Sequence, residues 1–278
     1  MRSVPKQIRD LLRAEVSDGR FRLAEVDPAA TPGLKSHKRA LKDLPKQQAQ
    51  LFELQEKLYA EHKRALMLVL QGMDTSGKDG TITHVIGHLN PQGVKITGFK
   101  QPTPEEKRHG FLWRIRRNLP PSGDVGIFNR SHYEDVLVVR VHDLAPLSVI
   151  ERRYDLINRF EKQVASQRIK IVKVCLHISY DEQRNRLMDR LKDPSKRWKF
   201  NEHDIDERAY WDDYQSAYSL AITRCSTLYA PWYVVPSNDK TYRNWAVARI
   251  LMETLQEIDP NYPQPKLNIP RLLKRLRA

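Results

Sequence analysis

The residues best suited to chemistry fall in one run, Gly72-Met73-Asp74-Thr75-Ser76-Gly77-Lys78-Asp79-Gly80-Thr81. Two glycines and a lysine stand at the G-x-x-x-x-G-K spacing of a phosphate-binding loop. Gly72 and Gly77 let the backbone turn its N–H groups onto an anion, and Lys78 reaches the phosphate being transferred. Asp79, Gly80 and Thr81 complete the phosphate-binding stretch. Two positions depart from the usual loop. Asp79 stands where a Ser or Thr hydroxyl normally holds magnesium, and Asp74 places a second carboxylate inside the loop. Two anions in a loop built for anions point to a metal-rich site with unusual substrate geometry. The alternative is an ordinary glycine turn with Lys78 solvated. The apolar run Ala65–Leu70 before the loop and the helical spacing of Ile82, Val85, Ile86 and Leu89 after it favour phosphate binding.

A second cluster is Ile127-Phe128-Asn129-Arg130-Ser131-His132-Tyr133-Glu134-Asp135, just past a strand-like segment. Phosphoryl transfer calls for a carboxylate from a neighbouring strand to hold Mg²⁺ beside the loop. Here that strand ends in Asn129, and the acids follow at Glu134 and Asp135. The reading prefers Asp135 as the metal-site or phosphate-site acid, against a turn-capping Asp135 and a solvated Glu134. Arg130 suits phosphate oxygens, which a guanidinium binds bidentately.

A third group is basic. Arg186 and Arg190, four apart, share a helix face, and Arg197 and Lys199 follow in the next loop. Beside a phosphate loop they read as a phosphate-binding lid that closes to exclude water; alone they would read as a solvated face. Arg114, Arg116 and Arg117 point in different directions, so at most some serve an anion. His132, His142 and His177 lack metal-ligand spacing and read as structural. Tyr210, Trp211, Tyr214 and Tyr218 recur at helical spacing and read as core or helix packing.

These groups need a scaffold. Strands are expected at 65–70, 94–99, 124–129, 170–178 and 232–235. Helices are expected at 44–61, from Pro104 to about Asn118 with Thr103 as N-cap, and at 146–166, 181–191, 204–227 and 242–258. The alternation implies an α/β fold, a parallel sheet covered by helices on both faces. There is no internal repeat and no convincing linker. One domain spanning 1–278 is expected, with an N-terminal arm at about 1–43 (a short helix near Ile8–Arg13), a lid at about 184–212 and a basic tail at about 264–278.

The 278 residues carry a formal net charge of +14, a field that attracts polyanions. The tail, from Lys266 onward, holds five of the cations and no acid, so the excess extends beyond it. Its Leu272, Leu273 and Leu276 among Arg and Lys allow an amphipathic helix, though a simple basic tail is preferred. No run approaches the roughly 18 apolar residues of a membrane span, and no secretory signal is read at Met1–Lys6. Cys175 and Cys225 read as buried and reduced, in a cytoplasmic protein. Three functions remain: a kinase using a polymeric phosphate, an ATP-dependent kinase, and a basic nucleic-acid-binding protein.

The loop Gly72–Thr81, the run Phe128-Asn129-Arg130-Ser131-His132-Tyr133-Glu134-Asp135-Val136-Leu137-Val138-Val139-Arg140-Val141 and the segment Lys196-Arg197-Trp198-Lys199-Phe200 together resemble the polyphosphate kinase 2 family, over about residues 20–265. Other branches of that family have aspartate at the position of Asn129. The form seen here resembles the branch acting on nucleoside mono- and diphosphates. The resemblance implies a thymidylate-kinase-like sheet with a helical lid. It implies phosphoryl transfer from inorganic polyphosphate to AMP and ADP, ending in ATP, with Mg²⁺ or Mn²⁺, and assembly as dimers or tetramers. It expects neither membrane nor nucleic acid as partner. It implies that Asp74 orients the accepting phosphate and helps hold metal, and that Lys78 neutralises phosphates. Asp135, with Glu134 as the alternative, takes the metal-associated role; Arg130 and Arg186 bind transferring or accepting phosphates.

Overall fold

A computed structural model describes residues 7–277. Its elements in chain order are α1 (Ile8–Leu12), α2 (His37–Glu61), β1 (Ala65–Gln71), α3 (Lys78–His84), β2 (Val94–Gly98), α4 (Pro104–Lys107), α5 (Trp113–Arg116), β3 (Val125–Asn129), α6 (Val138–Val141), α7 (Leu147–Ser166), β4 (Ile169–His177), α8 (Tyr180–Lys192), α9 (His203–Asp206), α10 (Trp211–Cys225), β5 (Trp232–Pro236), α11 (Lys240–Ile258) and α12 (Ile269–Arg277). The strands form one parallel sheet in the order β2-β3-β1-β4-β5. β1 is therefore central, and the loop that follows it opens between neighbours on both sides. In an open α/β sheet that carboxyl-end crevice is where ligands sit.

Successive residues of a strand face opposite sides, and β1 uses both. Leu66, Leu68 and Leu70 join a core built with α2 and α11, through Leu51, Leu58, Ala246, Ile250 and Met252. Ala65, Met67 and Val69 join a second core built with α7 and α10, through Ile150, Ile157, Phe160, Ala221 and Ile222. A strand buried on both faces reads as a continuous apolar run, which is what made it legible.

Three helices differ from expectation. α2 begins at His37 rather than Leu44, because the Ser36 hydroxyl accepts the Arg39 N–H and starts the helix seven residues earlier. Pro45 is accommodated inside it on an exposed face. The helix expected from Pro104 to Asn118 is two short turns, α4 and α5. Gly110 sits between them, and the His109 ring stacks on Trp113 at 4.1 Å. The 204–227 helix is broken by a 3₁₀ turn at Glu207–Tyr210, where the Glu207 carboxylate accepts from Tyr214 Oη at 2.7 Å. The basic tail folds into α12, whose Leu273 and Leu276 stay exposed. No helix among the described residues is long and apolar enough to cross a membrane.

The N-terminal arm is fastened at points from Ile8 to Val26. Glu253 of α11 accepts the N–H groups of Ile8 and Arg9, Trp232 O accepts Ala14 N–H, and Thr223 Oγ1 accepts Phe21 N–H. His177, ending β4, lies 3.1 Å through Nε2 from Val26 O. Burial pushes the His177 pKa down to about 4, from 6.5. The unfolded chain then takes up this proton more readily than the folded one. His177's contribution to stability is complete above pH 6.5 and is lost as pH falls through about 4. In urea titrations, His177→Gln is expected to lose less stability than the parent over that interval. An identical pH slope for the two proteins would refute this role.

Candidate active site

The loop after β1 is shaped by its glycines. Gly72 has φ +146°, and a Cβ there would lie 2.6 Å from both Leu176 O and Ser76 Oγ. Neither the conformation nor the space suits any other residue. Gly72→Ala is expected to cost about 2–4 kcal/mol and at least about 100-fold in activity, read by denaturation and turnover together. An alanine variant of near-parental stability would contradict it. Gly72 N–H donates to Tyr218 Oη at 3.0 Å, so one of the helix aromatics braces the loop as well as packing the core. Gly77, at φ +109°, precedes α3 and turns the chain into it.

Lys78 is buried, 9% exposed, and its Nζ donates to Gly72 O at 2.6 Å and Met73 O at 3.2 Å. Burial, then the neighbouring Arg130, pushes its pKa down, while Asp74, Glu134 and Asp79 oppose the shift. The ammonium sits on neutral carbonyls, which leaves its charge for an incoming phosphate.

Arg130 follows β3 in the left-handed region, φ 64°, with its N–H held by Leu70 O at 3.0 Å. Its guanidinium donates to Asp74 Oδ1 at 2.8 Å and reaches Glu134 Oε2 at 3.5 Å. Burial opposes its charge, yet Glu134 and Asp74 hold it protonated beyond the ordinary arginine range. Asn129, the residue in place of a strand-end acid, donates through Nδ2 to Asp79 Oδ1 at 2.8 Å. The two unusual aspartates of the loop are thus each tied to the end of β3.

The structure brings Glu134, not Asp135, to the loop. The residues 132–135 form a 3₁₀ turn, and its geometry directs Asp135 the other way. The Asp135 carboxylate lies 3.6 Å from Arg153, and the Arg153 guanidinium also donates to Asp135 O. Burial lifts its pKa to about 6, against the pull of Arg153 and Arg114. Asp135 does not line the cleft, whereas Glu134 faces a small adjoining cavity with Gly72, Asp74, Arg130, Gln183 and Tyr214.

The basic group divides. Arg186 is 6% exposed and lines the cleft from beneath the loop, donating to Thr75 O, Ser76 O, Asn238 O, Ser237 O and Glu182 Oε1. Arg190, paired with Asp204 at 3.2 Å, and Lys199 line the cleft. Arg197 donates to Leu191 O and stays outside it. The cleft holds about 830 Å³ and is lined by nine lysines and arginines against three aspartates, Asp74, Asp79 and Asp189. Such an excess exceeds what one bound nucleotide needs.

Among the lining residues not singled out from the sequence are Lys240, Thr241, Arg243 and Asn244, at the start of α11. Their signal was positional, since they follow the carboxyl end of a strand just as the residues after β1 and β3 do. A divalent metal has hard oxygen donors available in Asp74 and Asp79, both on the cleft wall. Among the described residues no three His, Cys, Asp or Glu side chains converge. Mg²⁺ usually takes one or two carboxylates and completes its shell with water and substrate phosphates, so the donor set fits it.

Known proteins are similar to this one over most of the chain. A family model described as polyphosphate kinase 2 matches residues 34–263. The chain is 49% identical over 250 residues to the AMP/ADP-polyphosphate phosphotransferase of Meiothermus ruber, covering 90% of this chain and 94% of that one. It is 41% identical over 226 residues to the ADP-polyphosphate phosphotransferase of Rhodopseudomonas palustris, covering 77% and 78%. The crystal structure of polyphosphate kinase 2 from Arthrobacter aurescens TC1 superposes with a TM-score of 0.94 at 47% identity, over 98% of each chain. The matched residues take in the whole parallel sheet, the phosphate loop and the run after β3, and the chain is a member of the polyphosphate kinase 2 family.

Proposed function

We propose that this protein moves the terminal phosphoryl group of inorganic polyphosphate to AMP and ADP, reversibly. The observation that carries the reading is the cleft itself, a phosphate loop opening into a wall with a threefold excess of cations over acids. Polyphosphate carries about one negative charge per phosphate, and a long cationic groove suits it better than it suits a single nucleotide. The relatives named for AMP/ADP and ADP transfer support the choice of acceptors.

An oxygen of the acceptor's terminal phosphate attacks the end phosphorus of the polyphosphate. A new phosphoanhydride bond forms, the old one breaks, and the shortened chain leaves with the electron pair. The attacking oxygen is already an anion, so no general base is needed. The protein's share is positioning and charge neutralisation. Lys78 and Arg130 neutralise the transferring group. Asp74 orients Arg130 through their 2.8 Å pair, and Asp79 is set by Asn129. Asp74 and Asp79 would hold Mg²⁺ or Mn²⁺, which when bound draws phosphate oxygens together and offsets their charge. Arg190 and Lys199 close over the chain, and Arg186 keeps the loop in shape.

Incubation with Mg²⁺, polyphosphate and AMP, without ATP, is expected to yield ADP and then ATP. Turnover that appears only when ATP is the donor would assign the protein to ATP-dependent kinases instead.

A further inference from the structure

Arg243 is 3% exposed, yet it has no carboxylate partner among the described residues. Its Nε and Nη2 share one acceptor, Asn244 Oδ1, at 3.2 and 2.9 Å. Its Nη1 has no hydrogen-bond partner among the described residues, and it is not among the side-chain atoms sealed from solvent. The carboxylate whose charge acts on it, Asp239, caps α11 by accepting the N–H groups of Thr241 and Tyr242, and it also bonds His37. The other charge facing Arg243 is like-signed, Arg186. Burial and Arg186 lower the Arg243 pKa to about 10, so it is charged at neutral pH. A buried guanidinium without an anion is costly in a folded protein.

Its placement says what anion would repay that cost. A Cβ on Gly77 would fall 1.8 Å from Arg243 Nη1, and one on Gly80 would fall 2.9 Å from Nη2. The guanidinium therefore lies against the backbone of the phosphate loop, and two of the loop's glycines make room for it. Arg186 differs, since its donors are spent on loop carbonyls and Glu182. A small cavity beside Asp74 is lined by Leu137, Val138 and Tyr214 as well as by charged groups. The much larger cleft that Arg243 lines also carries Lys240, Lys196 and Lys199, cations that suit an uninterrupted polyanion.

We propose that Arg243 binds a phosphate of the donor polyphosphate chain other than the one transferred, and so fixes the chain's path across the loop. This rests on polyphosphate being the donor. The test uses full-length protein and polyphosphate without nucleotide, read by Tm, followed by steady-state kinetics. Wild type is expected to gain Tm with polyphosphate. Arg243→Met is expected to hold or raise the ligand-free Tm, since it removes an uncompensated charge. It should lose most of the polyphosphate-induced rise, and its KM for polyphosphate should increase about tenfold or more, with KM for ADP unchanged within about twofold. Arg243→Lys, which keeps the charge without the fork, should fall between the two. A methionine variant with lower ligand-free Tm and an undiminished polyphosphate response would show a structural prop and overturn the proposal. Absence of any polyphosphate response in wild type would instead remove the donor reading on which it stands.

Discussion

Lys78→Ala is expected to lower turnover with polyphosphate and ADP by about three orders of magnitude, while Tm falls by only about 2–4 °C. The activity loss follows from position. Nζ sits between Gly72 O and Met73 O at the mouth of the loop, buried and with no carboxylate bonded to it among the described residues. In that low-dielectric setting a cation acting on developing phosphate charge is worth far more than in water. The small stability loss follows from opposing terms. The variant forfeits two hydrogen bonds to carbonyls, but it also relieves the burial that pushes the lysine's pKa down. Lys78→Arg should fail to rescue activity, because a planar fork cannot occupy the place of a compact ammonium held by two carbonyls 2.6 and 3.2 Å away. Steady-state kinetics beside circular dichroism melts would decide it. Activity within tenfold of the parent would place the critical cation elsewhere.

Much of this site was legible because its signals are local. Gly72, Gly77 and Lys78 sit within seven residues, and their spacing alone specifies a loop that holds phosphate. The strands buried on both faces showed themselves as apolar runs. What was not legible depends on geometry that spacing does not carry. Glu134 and Asp135 are adjacent in sequence, and only the 3₁₀ turn after Arg130 decides which faces the loop. Arg186 and Arg190 share a helix and both line the cleft, yet one turn of rise ties the first to the loop's carbonyls and the second to Asp204. Arg243 belongs to a helix most of whose residues are buried, and nothing in its spacing marks it off from them. Its meeting with Gly77 and Gly80 follows from β5 lying beyond β4 in the sheet order, which the sequence does not reveal.

The largest expected loss of stability lies behind the site. Lys173→Met is expected to destabilise the fold by about 3–5 kcal/mol in urea titrations. Lys173 and Glu161 are both fully buried, with Nζ to Oε2 at 2.6 Å, and Lys173 also donates to Tyr133 Oη and Cys225 O. Burial opposes the Glu161 charge, but Lys173 and His132 outweigh it and hold the carboxyl below its ordinary value. Removing Lys173 alone leaves a carboxylate in the core with only neutral partners, because burial keeps His132 below its usual pKa. The double variant Lys173→Met/Glu161→Leu should recover most of the loss, since it removes both charges together. A remainder of about 1–3 kcal/mol is expected from His132 Nε2 and Tyr133 Oη, which lose their shared acceptor. A cost below about 1 kcal/mol for the single change, or additive effects in the double, would refute the pairing. The same cluster ties His132 and Tyr133 to α7, and those residues anchor the turn that follows Arg130. Lys173→Met should therefore also lower kcat at temperatures where it remains folded, and the double variant should regain less activity than stability. Arg130 holds φ 64° only while the turn behind it is fixed, so the ion pair in the core and the guanidinium at the phosphate site answer to one constraint.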